Sequence, residues 1–554
     1  MAIADEIKSA IASALEKQGI SEAEILLEHP ADLKNGDYSS PVAIQHAKRV
    51  GKKPRELAEE VVSKLRTIEG VEKVEIAGAG FINFYLSPSV LAEAIGKARE
   101  EETWGRNERS KGKKVMVEYT DPNPFKEFHI GHLVPNALGE SVSRLLDAGG
   151  AEVKRANYQG DLGIHVARSL FIQLEKGITD PTIVDLATAY PEGSRRYEED
   201  EGAKKAIDEL NKKIYDKSDA RVNALYEKGR ALSLSHFDEI YAILGTKFDF
   251  YFFESETGPV GVAEVRAHPD IFEESEGAII FRGEKHGLHT RVFINKLGLP
   301  TYEAKELGLA RLKAEKYPFD LTITITANEQ EEYFKVVMKA MELALPNLHG
   351  KLAFKTNGLL RFAEGKMSSR LGNVITGKAL IDDLKEKARE RATESRAADP
   401  DKLAEQVAVA AIKYQILKQG FGKDIIFDRE RALSLEGDSG PYLQYTHARA
   451  HGVVEKAREQ NVVAVADKNA EPSELSRLLH RFPEIVERAT EELEPHLLTN
   501  YLLEFASAFN RWYANEQILD GTPAAPHKVA LTDAARSTLK NGLWLLGIPA
   551  PERM

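Results

Sequence analysis

Apolar positions in the first hundred residues change period twice. Ile3, Ile7, Ile11 and Leu15 recur at helical spacing, and Gly19 stands where such a helix is capped. A turn at Gly36 and Asp37, a second amphipathic stretch after Pro54 and the run Val74, Glu75, Ile76 follow. After the break at Gly78 to Gly80, residues 81–86 read as a strand. Helices mixed with strands over residues 1–108 predict a small α+β module, ending near a polar linker at 106–114.

The pattern then changes to buried strands separated by helices. Residues 115–119 predict a strand, followed by a loop with Pro122 and Pro124 and a helix with Pro135 in its first turn. A second strand, 153–158, runs into Gln159-Gly160-Asp161-Leu162-Gly163. This is a βαβ unit, and the strong β run at 321–326 with a helix from Glu331 supplies a later one. Between them, about 169–287 is charged and helical, then aromatic at 248–253, and reads as an insertion in a doubly wound parallel sheet. From Gly377 the chain turns helical to its end. The expected plan is multidomain α/β: a module at 1–108, a Rossmann-like catalytic domain at 109–376, a helical connector at 377–435 and an α-helical bundle at 436–554.

Composition narrows this plan little. The 554 residues are 42% hydrophobic and 29% charged, which is globular. Cysteine is absent, which excludes disulfides and thiolate metal centres. No apolar run approaches the roughly 18 residues of a membrane span, and no signal peptide is visible, so cytoplasm is the expected location. A net charge of −12 argues against bulk adsorption to nucleic acid, though not against a local basic stripe.

The candidate chemistry lies in two short motifs. His129-Ile130-Gly131-His132 falls where a strand-ending loop enters a helix, and helix N-termini present free N–H groups to anions. A zinc reading lacks a third local ligand. Lys366-Met367-Ser368-Ser369-Arg370 follows a strand at 359–362, and cations flanking hydroxyls suit a polyphosphate leaving group. Alone, either is an ordinary loop; as a pair in this order, coincidence explains them poorly.

The two motifs resemble the HIGH and KMSKS signatures of class I aminoacyl-tRNA synthetases. The stretches 36–40, 80–84, 118–132, 158–163, 440–445 and 546–554 narrow the resemblance to the arginyl family across essentially the whole chain. It implies activation of L-arginine by ATP with Mg²⁺, then transfer to the terminal ribose of tRNA(Arg), with no protein nucleophile. A non-catalytic RNA-binding paralogue would not need the motifs, and small nucleotidyltransferases are far shorter.

The resemblance implies that His129, His132 and Lys366 contact ATP phosphates and pyrophosphate, with Gly131, Gly160, Asp161 and Gly163 framing the adenosine and Met367, Ser368, Ser369 and Arg370 completing the loop. Ser369 replaces the family's second loop lysine, and Lys126 is the candidate substitute, against the alternative of an ordinary loop lysine. Glu118 and Glu306 would hold the guanidinium beside Tyr302, while Asp121, Asn123 and Gln330 would fix the α-amino end. Tyr445, Arg449, Tyr513 and Met554 would meet the anticodon, and Phe81 and Asn83 a D-loop base. Core packing is the rival reading for Tyr513 and Phe81. The family default is a monomer holding no metal of its own.

Overall fold

The computed structural model describes residues 3–363, 375–391 and 397–554. The expected loop contacts Lys366, Met367, Ser368, Ser369 and Arg370 lie outside the described residues. Two compact units emerge: Met1–Trp104 with Arg449–Pro483 and Glu504–Lys540, and Gly105–Ala448 with Glu484–Leu503 and Asn541–Met554.

In the first unit, α1 (Ile3–Glu16), α2 (Val42–His46), α3 (Pro54–Lys64) and α4 (Pro88–Glu100) accompany a three-stranded antiparallel sheet. Its order is β1 (Tyr38–Ser40), β3 (Phe81–Leu86), β2 (Val71–Ala77). The helical period has its reason here, because Ile7, Ile11 and Leu15 are fully buried together with Leu57, Val61, Ile82 and Phe84. Gly36 has φ 92°, and a Cβ there would lie 2.6 Å from the Phe84 carbonyl oxygen. Its neighbour Asp37 is buried, accepting from Leu86 N at 2.8 Å and from Arg477 Nη1 at 2.6 Å.

The second unit is built on a five-stranded parallel sheet from β4 (Lys114–Glu118), β5 (Glu152–Gln159), β6 (Phe250–Phe253), β10 (Leu321–Ala327) and β11 (Leu352–Asn357). Its order is β11-β10-β4-β5-β6. The chain works outward from β4 on one side and returns to start β10 on the other, so the switch point lies between β4 and β10. Open α/β sheets bind ligands outside the carboxyl ends of their strands at such a point. α5 (Ile130–Ala148) crosses from β4 to β5, and α6 (Ile164–Glu175), α7 (Ile183–Glu199), α8 (Glu201–Asp216) and α9 (Ala220–Leu244) precede β6. α10 (Glu254–Ala267), the small sheet β7 (Phe272–Ser275), β8 (Ala278–Phe281) and β9 (Arg291–Ile294), and α11 (Tyr302–Lys316) lead to β10. α12 (Glu331–Ala344) joins β10 to β11.

Two local expectations change. The aromatic run read as part of the insertion is β6, the edge strand, because Phe252 is fully buried against the sheet while Phe250 packs on Tyr317. Pro135 sits in the second turn of α5, not the first, so the helix forgoes one backbone hydrogen bond there. Beyond β12 (Leu360–Phe362) come α13 (Gly377–Arg391), α14 (Pro400–Leu417), β13 (Ile425–Phe427) and α15 (Arg429–Ala432), with β12 and β13 paired in parallel. α16 (Gly440–Glu459), α17 (Glu474–Glu492), α18 (Pro495–Asn515) and α19 (Ala525–Leu545) each contribute residues to both units. The stretch 436–554 is therefore shared between them.

Candidate active site at the sheet switch point

His129 caps α5. Its Nδ1 accepts from Gly131 N at 3.1 Å, while His132 Nδ1 accepts from His129 N at 3.2 Å. The two rings stack with centroids 3.8 Å apart, and His132 also packs on Phe128. Burial and the Lys126 charge lower the His129 pKa; burial, then the His129 and Lys126 charges, hold His132 well below the ordinary range. Two neutral rings whose Nδ1 atoms accept must carry their protons on Nε2. The helix thus begins with two Nε2–H donors and a positive dipole end. Gly131 is needed for this cap, since a Cβ would lie 2.8 Å from the His129 ring.

The loop after β4 turns sharply, with positive φ at Thr120, Asp121 and Phe125. Strain of this kind persists only where surrounding contacts over-determine it. Asp121 Oδ1 accepts from Tyr158 N at 2.7 Å, and Asn123 Oδ1 accepts from Gly160 N at 2.9 Å. A Cβ on Gly160 would lie 2.6 Å from that same Asn123 oxygen. His165 Nε2 donates to the Gly160 carbonyl at 2.8 Å, and burial lowers its pKa to about 3, so it is a neutral strut. Asp161 is fully buried and accepts from Ser255 N and Oγ, Tyr226 OH and Arg230 Nε. Its carboxylate is committed to protein partners, so only its backbone is left to frame a ligand. Gly163 starts α6 at φ 123°. Lys126 lies over the Tyr190 ring at 5.0 Å and forms no ion pair among the described residues.

Four carboxyls gather beside the crevice. Glu118, at the end of β4, is ion-paired with Lys313 of α11, and both are buried. Glu254 accepts from Lys305 Nζ at 2.6 Å, also buried. Asp121 and Glu306 have no cation at ion-pair distance among the described residues. Burial and the nearby Glu118 charge push Asp121 well above the carboxylate range and Glu306 up to about 8. Two carboxyls raised in this way by burial and a like charge, with no cation paired to either among the described residues, are unmet demand for a cation. Tyr302 opens α11, 66% exposed, with Lys305 Nζ 5.2 Å from its ring centre. Gln330 is exposed just before α12. The structure thus gathers Glu118, Asp121, Asn123 and Glu306 at one sheet end with the histidine cap.

Lys313, Lys305, Glu254, Arg230 and His165 were missed in the sequence. Only Lys313 carried a signal: it is seven residues after Glu306, hence on the same helix face. In the first unit Phe81 is 39% exposed, against the core reading, while Asn83 is buried with Oδ1 accepting from Ser39 Oγ at 2.7 Å. Arg449 lies over the Tyr513 ring at 5.1 Å and donates to Asn510, and Tyr513 is 38% exposed. In the second unit Tyr445 and Met554 are each half-buried.

Residues 97–429 match the family model for the class I (R) tRNA synthetase catalytic domain. Residues 443–554 match the DALR anticodon binding domain, and 2–86 the arginyl tRNA synthetase N-terminal domain. An arginine–tRNA ligase from Clostridium perfringens (strain 13 / Type A) is 31% identical over 573 aligned residues, spanning 100% of this chain and 99% of that one. The solved Thermus thermophilus arginyl-tRNA synthetase has a TM-score of 0.83 at 26% identity, covering 100% of both chains. A Mycobacterium tuberculosis methionyl-tRNA synthetase shares the fold over 79% of this chain and 92% of its own, with a TM-score of 0.51 at 13% identity.

Proposed function

Because the chain belongs to the class I arginyl-tRNA synthetases, which ligate arginine to tRNA at the expense of ATP, we propose a division of labour among its site residues. His129 and His132 donate from Nε2 to ATP phosphate oxygens at the α5 N-terminus. The backbone of Gly160 to Gly163, held by Asn123 and His165, frames the adenosine. Lys126 supplies the positive charge that Ser369 lacks, with Lys366 and Arg370 meeting the pyrophosphate; Mg²⁺ arrives with ATP as substrate.

Glu306 receives the guanidinium. Glu118 is already matched by Lys313, so its part is to hold that lysine and, through its charge, keep Glu306 protonated until a cation enters. Asp121 and Gln330 fix the α-amino end, Tyr302 covers the pocket, and Asn123 acts mainly through Gly160. With these groups placed, the arginine carboxylate attacks the α-phosphorus, pyrophosphate leaves, and the terminal ribose hydroxyl of tRNA(Arg) then takes the arginyl group. Positioning and charge stabilisation carry the rate. Phe81 reads the tRNA elbow, with buried Asn83 holding the strand behind it through Ser39 and not meeting the RNA itself, and Tyr445, Arg449, Tyr513 and Met554 read the anticodon. No helix among the described residues is long and apolar enough to cross a membrane; a cytoplasmic monomer is the form proposed.

The observation that carries this division is the Glu306 carboxyl, raised by burial and the Glu118 charge and without an ion-pair partner among the described residues, in the same parallel-sheet unit as the neutral histidine cap. Charging of tRNA(Arg) with labelled arginine tests it. His132→Ala and Glu306→Gln should each depress charging, the first through ATP and the second through arginine. Full activity in both would refute the assignment.

A further inference from the structure

Away from the histidines, α5 is gripped by a segment from the far end of the chain. Arg144 Nη1 donates to Trp544 O at 2.9 Å, and Ser141 Oγ donates to Leu545 O at 3.0 Å. Lys413 of α14, 1% exposed, donates from Nζ to Gly547 O at 2.7 Å and to Leu244 O, the last residue of α9, also at 2.7 Å. Gly547 itself lies among Lys413, Glu140 and Arg144. Its φ is +66°, and a Cβ there would lie 2.7 Å from Lys413 Nζ, 3.5 Å from Glu140 Cγ and 3.8 Å from Arg144 Cζ. No larger residue fits without moving one of the three.

Glu140 extends the grip toward the site. It accepts from Tyr119 OH at 2.6 Å, Arg144 Nε at 2.7 Å and Arg155 Nε at 3.2 Å. Tyr119 follows β4 and Arg155 lies on β5, the strands whose ends carry Asp121 and Gly160. Burial, helped by the Arg144 charge and opposed by Glu140, lowers the Lys413 ammonium to about 7. An apolar side chain here would leave the Leu244 and Gly547 carbonyls without this donor, so the two hydrogen bonds of Lys413 tie those segments together.

We infer that Lys413 is a positioning residue for arginine activation: by clamping the Leu244 and Gly547 carbonyls behind α5, it sets where His129 and His132 stand relative to the ends of β4 and β5. This rests on the reading of those histidines as ATP ligands. A helix of 19 residues is about 28 Å long, so a small tilt at its gripped half displaces the capped end. A displacement of about 1 Å at reacting groups can cost up to about a hundredfold in rate.

The test uses the full-length enzyme with Lys413→Met, Gly547→Ala and the double variant, assayed for charging and for melting temperature. Lys413→Met should lower kcat about tenfold to a hundredfold well below its melting temperature, with the KM values for arginine and tRNA within about twofold of wild type. Gly547→Ala should act in the same direction, and the double variant should be no worse than the more severe single, because both break one contact. A lower melting temperature with unchanged kcat per folded molecule would overturn the inference, as would multiplying kcat defects. If Lys413→Met does not fold, Gly547→Ala decides alone, and a wild-type kcat there counts against the inference. His132→Ala run in parallel separates the two readings: full rate in that variant removes the histidine assignment itself, whatever the Lys413 variants do.

Discussion

Glu306 links arginine recognition to pH. In the free enzyme its pKa is about 8, and an arriving guanidinium favours the ionised form, so binding below about pH 8 expels a proton. Arginine kcat/KM should therefore rise with pH by up to about tenfold per unit and level off above about 8. Glu306→Gln should flatten that slope and lower arginine kcat/KM about tenfold to a hundredfold, the worth of a charge-assisted contact. A flat wild-type profile would count against the assignment. The same shift opposes stability: between the ordinary carboxyl range and about 8 the fold holds a proton the unfolded chain has released, so stability falls as pH rises through that window. Lys126 carries the second residue-scale prediction. Lys126→Ala should depress kcat for activation about 10²–10³-fold with little change in KM, and Ser369→Lys should restore part of it. A silent Lys126→Ala beside a crippling Arg370→Ala would move the charge to the loop. The candidacy of Lys126 was legible in the sequence; the demand at Glu306 was not, because it arises from burial and from a strand residue remote in the chain.

The helix pair α10–α11 shows what an element adds. A Cβ on Gly261 would lie 1.8 Å from Ala304 O, and one on Gly308 2.0 Å from Thr257 O. The two backbones therefore touch, which brings Glu254 and Lys305 within 2.6 Å and fixes the face carrying Tyr302 and Glu306. Gly308→Ala should destabilise the protein by about 1–3 kcal/mol through overpacking, seen in urea unfolding. It should also raise the KM for arginine more than that for ATP, since α11 carries the proposed arginine contacts. Equal effects on both substrates would argue that the pair only supports the fold. The helical period of α11 was readable; the glycine contact was not, since one chain pattern does not say which helix lies opposite.

Across the molecule, chain order and compact units do not coincide. Within the first unit, Arg477 of α17 meets buried Asp37, and Trp104 Nε1 donates to Thr538 Oγ1 at 3.1 Å. Arg477→Ala would strand a buried carboxylate and should cost about 3–5 kcal/mol in denaturant unfolding. A change within experimental scatter would show that water reaches Asp37. Resemblance to the arginyl family also implies that arginine-dependent ATP–pyrophosphate exchange requires tRNA. Robust exchange in its rigorous absence would contradict this.

Element order, the parallel sheet, the entry of the histidine motif into a helix and the family were legible in the chain alone, because these are written in short-range periodicity and in contiguous motifs. Strands 81–86, 115–119 and 321–326 were placed to within a residue or two for that reason. The folded chain alone shows that the histidine rings cap α5, that Glu118 is matched by Lys313, that Asp161 is committed to Ser255, Tyr226 and Arg230, that the aromatic run is a sheet edge, and that the terminal segment holds α5 through the Trp544 and Leu545 carbonyls. Whether a carboxyl is free or paired depends on what lies within a few ångströms and on how much water remains, and both are set by residues far apart in the chain.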